Sequence, residues 1–281
     1  MRLGYGTNSI GDVPPLDALP LLHDLGYRSL ALSLDHGLLN PFSADLTASV
    51  ERWRDALDAA GWACVIETGA RHLLDPLVKH EPTLVSADPA ARARRIAFLR
   101  DAIDVAARLN AACVSLWAGT VRDAAGGEAV WERLVTALGP VIEHAVARGV
   151  RLAFEPEPGM FVDTLDRYGE LLDRVGRPTA LGLCVDTGHL ECMGERPAAI
   201  HLAPWVGRIV NVHVDDMLPC VHEHLPLGDG TVDFAAIVGC LATGGYVGGL
   251  HVELPRQTHR WLEEARHSAA FLRPLLGSAA G

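Results

Sequence analysis

Eight short runs rich in Val, Leu, Ile and Ala alternate with amphipathic segments from one end of this chain to the other. The runs, at residues 3–6, 29–34, 63–67, 113–117, 152–155, 181–186, 209–214 and 250–253, read as strands buried on both faces. Helices are expected over 16–25, 47–60, 90–109, 129–148, 164–175, 198–206, 234–243 and 258–275. Gly26, Gly61, Asn110 and Gly149 follow four of these segments, as residues that tolerate the left-handed backbone of a helix C-terminus. Strict β/α alternation implies a parallel sheet, and eight units in 281 residues favour closure into a single (β/α)8 TIM barrel, an α/β fold. With 49% hydrophobic residues and no linker or low-complexity tract, one domain is expected over 1–281.

Charge narrows the partners. Asp and Glu total 35 against 24 Lys and Arg, a net charge of −11, which repels nucleic acid and anionic membranes. No stretch approaches a membrane span, and "MRLGYGTNS" has no hydrophobic signal core, so a cytoplasmic protein is expected. The six cysteines contain no CxxC and read as small core residues of a reduced protein.

Four of the apolar runs end on a polar side chain: Glu155 in "RLAFEPEPG", Asp186 in "LGLCVDTGH", His213 in "IVNVHVDD" and Glu253 in "GGLHVELP". Any one alone reads as a strand end meeting water. In a parallel barrel, however, the C-termini of strands five to eight are neighbours on one rim. Three carboxylates converging there would raise one another's pKa, a conflict that one divalent cation resolves. Oxygen-rich ligation with one imidazole suits Mn²⁺ first, with Mg²⁺, Co²⁺, Fe²⁺ and Zn²⁺ as alternatives.

The motifs "FEPEPG", "VDTGH", "NVHVDD", "HEHLPLGDGTVDF" and "HVELP" resemble those of the xylose isomerase-like TIM-barrel superfamily. That superfamily includes sugar 3-epimerases, hydroxypyruvate isomerase, inosose dehydratase and endonuclease IV. The specific motifs run from about Leu152 to Glu253; the first half matches in architecture. The resemblance implies that Glu155, Asp186, His213 and Glu253 bind the metal, that His189 contacts substrate, and that the two glutamates serve as acid and base. The chemistry fits: a cation stabilises the enediolate left when a proton alpha to a carbonyl is removed, and a carboxylate on each face can remove and return that proton. The substrate class is then a small sugar, keto-sugar or cyclitol.

Weaker signals surround this set. His222 and His224, in the loop expected after strand seven, read as substrate or outer contacts, or as solvated loop. The spacing from His224 to Gly228 resembles endonuclease IV, where this segment supplies two additional metal ligands, but His222 departs from the acid expected at the first of them, and the strand-three and strand-four ends offer Glu67 and Trp117 where that family has metal-binding histidines. Glu67 reads as a hydroxyl or ligand contact, and Trp117 as an apolar wall at the mouth or a core aromatic. The segment 68–89 lacks a secondary-structure pattern and reads as a lid, a surface excursion or a homo-oligomer contact. Lys79, the only lysine, raises a Schiff-base aldolase, against which its loop position argues. Three enzyme readings follow in order: a metal-dependent isomerase or epimerase, a dehydratase of the inosose type, and a DNA-repair phosphodiesterase. A non-enzymatic sugar-binding barrel leaves the four strand ends unexplained.

Overall fold

The computed structural model describes residues 1–278. Its barrel strands are β1 (Arg2–Gly6), β2 (Ser29–Ser33), β3 (Ala63–Glu67), β4 (Val114–Leu116), β5 (Leu152–Phe154), β6 (Leu181–Asp186), β7 (Ile209–Val214) and β10 (Gly249–Val252). They close in the order β1-β10-β7-β6-β5-β4-β3-β2, the (β/α)8 architecture the sequence rhythm predicts. A separate antiparallel hairpin, β8 (Asp216–Leu218) and β9 (Val221–Leu225), follows β7. The helices are α1 (Pro15–Asp24), α2 (Leu46–Ala60), α3 (Pro89–Leu109), α4 (Gly127–Arg148), α5 (Leu165–Arg174), α6 (Thr187–Cys192), α7 (Ala198–Leu202), α8 (Phe234–Thr243) and α9 (Trp261–Ser278). None of the described helices is long and apolar enough to cross a membrane.

Local chemistry sets several boundaries. Asp88 accepts hydrogen bonds from the Ala90 and Ala91 amides, and Pro89, which has no amide hydrogen to lose, opens α3. Gly26, Gly61, Asn110 and Gly149 all take positive φ, as expected of helix stops. Three features depart from the sequence reading. The short α6 lies where no element is expected, the β8–β9 hairpin lies where a loop is expected, and the helix expected over 198–206 becomes α7 followed by a 3-10 turn over Ala203–Arg208. Each of these pieces is too short for periodicity to reveal it.

The chain groups into two compact units. In the first (Met1–Leu32, Asp55–Val65 and from Leu183 on), β1 pairs with β10 and β2, and β7 with β6 and β10. Tyr5 and Tyr27 meet edge to face at 5.4 Å, and their hydroxyls donate to the carbonyls of Trp261 and Ala265, which fastens α9 beneath β1 and β2. In the second (Ser33–Arg54 and Ile66–Gly182), β4 pairs with β3 and β5 while α3 packs on α4. Its aromatic contacts include Trp131 against Phe161 at 4.8 Å and Phe154 against Tyr168 at 6.2 Å.

Candidate functional site

Asp186 ends β6 and caps α6, because its Oδ1 accepts from the His189 amide at 2.8 Å. The "DTGH" sequence is explained locally. A Cβ at Gly188 would collide with the Asp215 carboxylate, which instead accepts from the Gly188 amide at 2.9 Å. Thr187 donates its hydroxyl to the Asp215 carbonyl at 2.7 Å. Asp186 Oδ2 is buried and receives no hydrogen bond from the described residues. Its neighbour Asp215 meets it acid to acid, which is repulsive unless a proton or cation lies between. Burial works to raise the Asp186 carboxyl, but the imidazoles of His189, His224 and His213 hold it below its ordinary value.

His213, on β7, is paired in register with Asp186 on β6. Its Nδ1 stands 3.0 Å from Glu253 Oε2, and Glu253 Oε1 accepts from Asn8 Nδ2 at 2.7 Å. Glu253 follows β10 directly. Burial would raise its carboxyl, yet the His213 imidazole takes it well below the carboxylate range. Behind the site, Asn211 Nδ2 lies 3.0 Å from His213 Nε2, Asn211 Oδ1 2.9 Å from His251 Nδ1, and His251 Nε2 2.8 Å from Ser29 Oγ. Burial lowers His251 to about 3, so this polar chain runs through a neutral ring. Cys184, buried as expected, sets Sγ 3.8 Å from His213 Nδ1.

Asp186, His213 and Glu253 each offer a ligand atom within 4.8 Å of the others. Hard carboxylate oxygens, one imidazole and the undonated Asp186 Oδ2 are the environment a divalent cation requires, so these residues fit the expected metal.

Beside Asp186 stand three more imidazoles. His189 on α6 meets His222 and His224 on β9 with ring centroids 5.0 and 6.0 Å apart, and His222 and His224 lie 5.6 Å apart. The expected loop position of His222 and His224 is corrected: they occupy alternate positions of a strand and so share one face of it. Asp215 Oδ2 lies 2.6 Å from His224 Nδ1; burial opposes the imidazolium, but this carboxylate outweighs it and raises His224 to about 10. His189, buried without so close a carboxylate, is lowered to about 4.

In the second unit, Glu155 follows β5, is buried, and donates its amide to the Leu116 carbonyl at 2.8 Å. Glu67 closes β3, and Trp117 follows β4. Trp117 is buried, with the Arg95 guanidinium 4.3 Å over its ring and the His80 edge at 5.6 Å. Burial lowers Arg95 to about 9; its Nη2 donates to the Thr68 carbonyl at 2.7 Å, while Nε and Nη1 find no partner among the described residues. The segment from Thr68 to Asp88 forms no helix or strand, as expected, but it is anchored. Gly119, at φ +103, leaves room for the Thr83 side chain against its Cα, and Glu81 pairs with Arg122 at 2.7 Å. Lys79 lies exposed on that loop.

Asn8, Asn211, Asp215 and Arg95 went unassigned in the sequence. Asn211 and Asp215 sit inside the "NVHVDD" motif, two residues to either side of His213, and strand alternation was the available signal. Nothing in the local sequence marks Asn8 or Arg95.

The sequence model of a family described as xylose isomerase-like TIM barrel matches residues 19–275. An L-ribulose-5-phosphate 3-epimerase, UlaE, of Shigella flexneri is 27% identical over 256 residues, covering 91% of this chain and 85% of the relative. The Escherichia coli K12 protein of the same name matches with the same identity and coverage. Among solved structures, an L-ribulose 3-epimerase superposes with a TM-score of 0.79 at 22% identity, over 99% of this chain and 95% of the other. The 3-keto-D-glucoside 4-epimerase YcjR of E. coli gives 0.80 at 16%, over 98% and 99%. The IOLI protein with a bound zinc atom gives 0.77 at 18%, over 99% of each chain. At these identities the superpositions speak for the fold.

Proposed function

The chain belongs to the xylose isomerase-like TIM-barrel family, and on that premise we propose that it is a metal-dependent isomerase or epimerase of a small sugar, keto-sugar or cyclitol. The observation that carries this reading is the convergence of Asp186, His213 and Glu253, with Asp186 Oδ2 buried and undonated. Glu155 is the fourth ligand in this proposal, because it follows the strand next to β6 in the barrel order. The relatives named as 3-epimerases of a ketose phosphate support a sugar substrate. The reading treats 1–281 as one domain, since one family model spans 19–275 and the strands follow one barrel order. It assigns the enzyme to the cytoplasm on its composition and its free cysteines.

A divalent cation held there, Mn²⁺ first among the candidates, supplies charge to stabilise the oxyanion that develops when a carbon beside a carbonyl loses its proton. Glu155 and Glu253 remove and return that proton. Asn8 holds Glu253 Oε1, which leaves Oε2 as the oxygen turned to His213 and fixes the carboxylate's plane. His189, His222 and His224 act on substrate oxygens from beside Asp186, and Glu67 and Trp117 border the substrate from the ends of β3 and β4.

The test is elemental analysis of purified protein, then incubation of metal-loaded protein in D₂O with free and phosphorylated ketoses. Deuterium in recovered sugar is the expected result, and product identity separates epimerisation, isomerisation and dehydration. A protein that retains no divalent ion and exchanges no proton on any of these sugars would overturn the reading.

A further inference from the structure

We propose that Cys192 and Cys220 are a redox modification site: they form a reversible disulfide that locks the β8–β9 hairpin onto the end of α6, with a small disulfide of the glutathione class as the oxidant. The Cys220 amide, in the β8–β9 turn, donates to the Cys192 carbonyl at 3.0 Å. A main-chain bond of this kind sets two α-carbons about 5–6 Å apart, inside the ~4.4–6.8 Å that a disulfide spans. The sulfurs can therefore meet by side-chain rotation with little movement of the backbone.

The two thiols are unequal in the way thiol–disulfide exchange uses. The expectation that all six cysteines are core residues fails at Cys220, which is exposed, whereas Cys192 is buried. Burial and the neighbouring Cys220 thiol raise Cys192 above its ordinary value, so it waits as a thiol. The Cys220 thiolate attacks the oxidant, forms a mixed disulfide and releases one glutathione thiolate. Cys192, once deprotonated, then attacks the Cys220 sulfur and the second glutathione leaves. Two protein thiols are oxidised to one disulfide, and the oxidant is reduced to two thiols. Charge at Cys220 is gone in the mixed disulfide, which removes one of the influences that keep Cys192 protonated.

The turn itself gives a cysteine no conformational advantage. Leu218 pairs with Val221, which leaves Pro219 and Cys220 as the turn, and Cys220 takes φ +61, a backbone better suited to glycine or asparagine. Cys192 closes α6, three residues past His189, and Cys220 stands two residues before His222. The crosslink thus ties together the two elements that carry the histidine cluster. β8 and β9 pair only with each other, outside the barrel, so a covalent tie at the tip removes freedom that the reduced hairpin has. In a reducing compartment such a bond is transient and reports oxidation.

The test uses the untagged full chain, equilibrated in glutathione buffers from fully reduced to fully oxidised, quenched in acid and alkylated in denaturant. The oxidised parent is expected to lose two hydrogens, with the link mapped by mass spectrometry between Cys192 and Cys220 and reversed by dithiothreitol. Cys192→Ala is expected to stop at one bound glutathione. Cys220→Gly, which suits the positive φ of the turn, is expected to form no internal disulfide. Amide hydrogen exchange over residues 219–225 should slow by at least about tenfold in the oxidised parent and stay unchanged by oxidant in Cys220→Gly. These measurements need neither substrate nor metal, so the disulfide and the enzymatic reading stand or fall separately. A parent that stays reduced in oxidised glutathione, stops at the mixed disulfide or links Cys220 to another cysteine would overturn the proposal, as would hairpin exchange that oxidation leaves unchanged.

Discussion

Asn211 holds His213 from behind: its side-chain nitrogen stands 3.0 Å from His213 Nε2, two residues along the same face of β7. The opposite edge of that ring, Nδ1, faces Glu253, so Nδ1 is the atom turned toward a cation. With Nδ1 on a cation, Nε2 carries the ring proton, so the Asn211 amide has to turn its oxygen to Nε2 to accept it; Asn211→Ala should then weaken binding of the metal by about 10–100-fold, as loss of an outer hydrogen bond to a ligand does. Competition with a chelator of known affinity measures this. An unchanged dissociation constant would mean that the ring is oriented by other groups.

Asp186→Asn tests the charge of the site. The amide keeps the shape and one oxygen but no longer offsets the ion, and its NH₂ can satisfy itself by donating to Asp215. Metal content after dialysis should drop sharply while the fold persists, read by elemental analysis beside circular dichroism. Retention equal to the parent would remove Asp186 from the ligand set.

Glu155→Gln and Glu253→Gln separate proton transfer from metal retention. Each variant keeps an oxygen ligand but loses the base, so metal should be partly retained while exchange of the substrate's alpha proton slows by at least ~10²–10⁴. Pro156 biases the backbone of Glu155 toward the extended region, and Pro255 does the same for Leu254, one residue past Glu253, so little rearrangement is expected. Exchange at the parent rate in both metal-loaded variants would move the chemistry to other residues, with Glu67, His222 and His224 next in line.

Gly119→Ala should loosen the segment from Thr68 to Asp88. A Cβ there would collide with Thr83 and would sit on a residue at φ +103, a combined cost of about 1–3 kcal/mol. The expected result is faster tryptic cleavage at Arg71 and Lys79 with a lowered unfolding midpoint. Cleavage as slow as in the parent would show that the Glu81–Arg122 pair and the His80–Trp117 contact hold the loop without Thr83.

The barrel and the strand-end acids were legible in the sequence because both rest on local order. Buried parallel strands leave continuous apolar runs, helix stops leave Gly26, Gly61, Asn110 and Gly149, and a polar residue closing a run marks the rim whichever strands turn out to be neighbours. Tertiary structure alone decided which groups complete the ligands. Asn8 reaches Glu253 across 245 residues, and His251 reaches Ser29 across 222, separations over which sequence carries no periodic signal. His222 and His224 share their positions with ordinary loop residues until the Asp216 hydrogen bonds set a hairpin and the Cys220 amide fastens it to α6. In the sequence, Asp215 is one of two adjacent acids that close "NVHVDD", with nothing to mark its partners. Burial between Gly188 and His224 made it a support for the imidazole cluster, because a carboxylate withdrawn from water must take its partners from whatever the fold sets beside it.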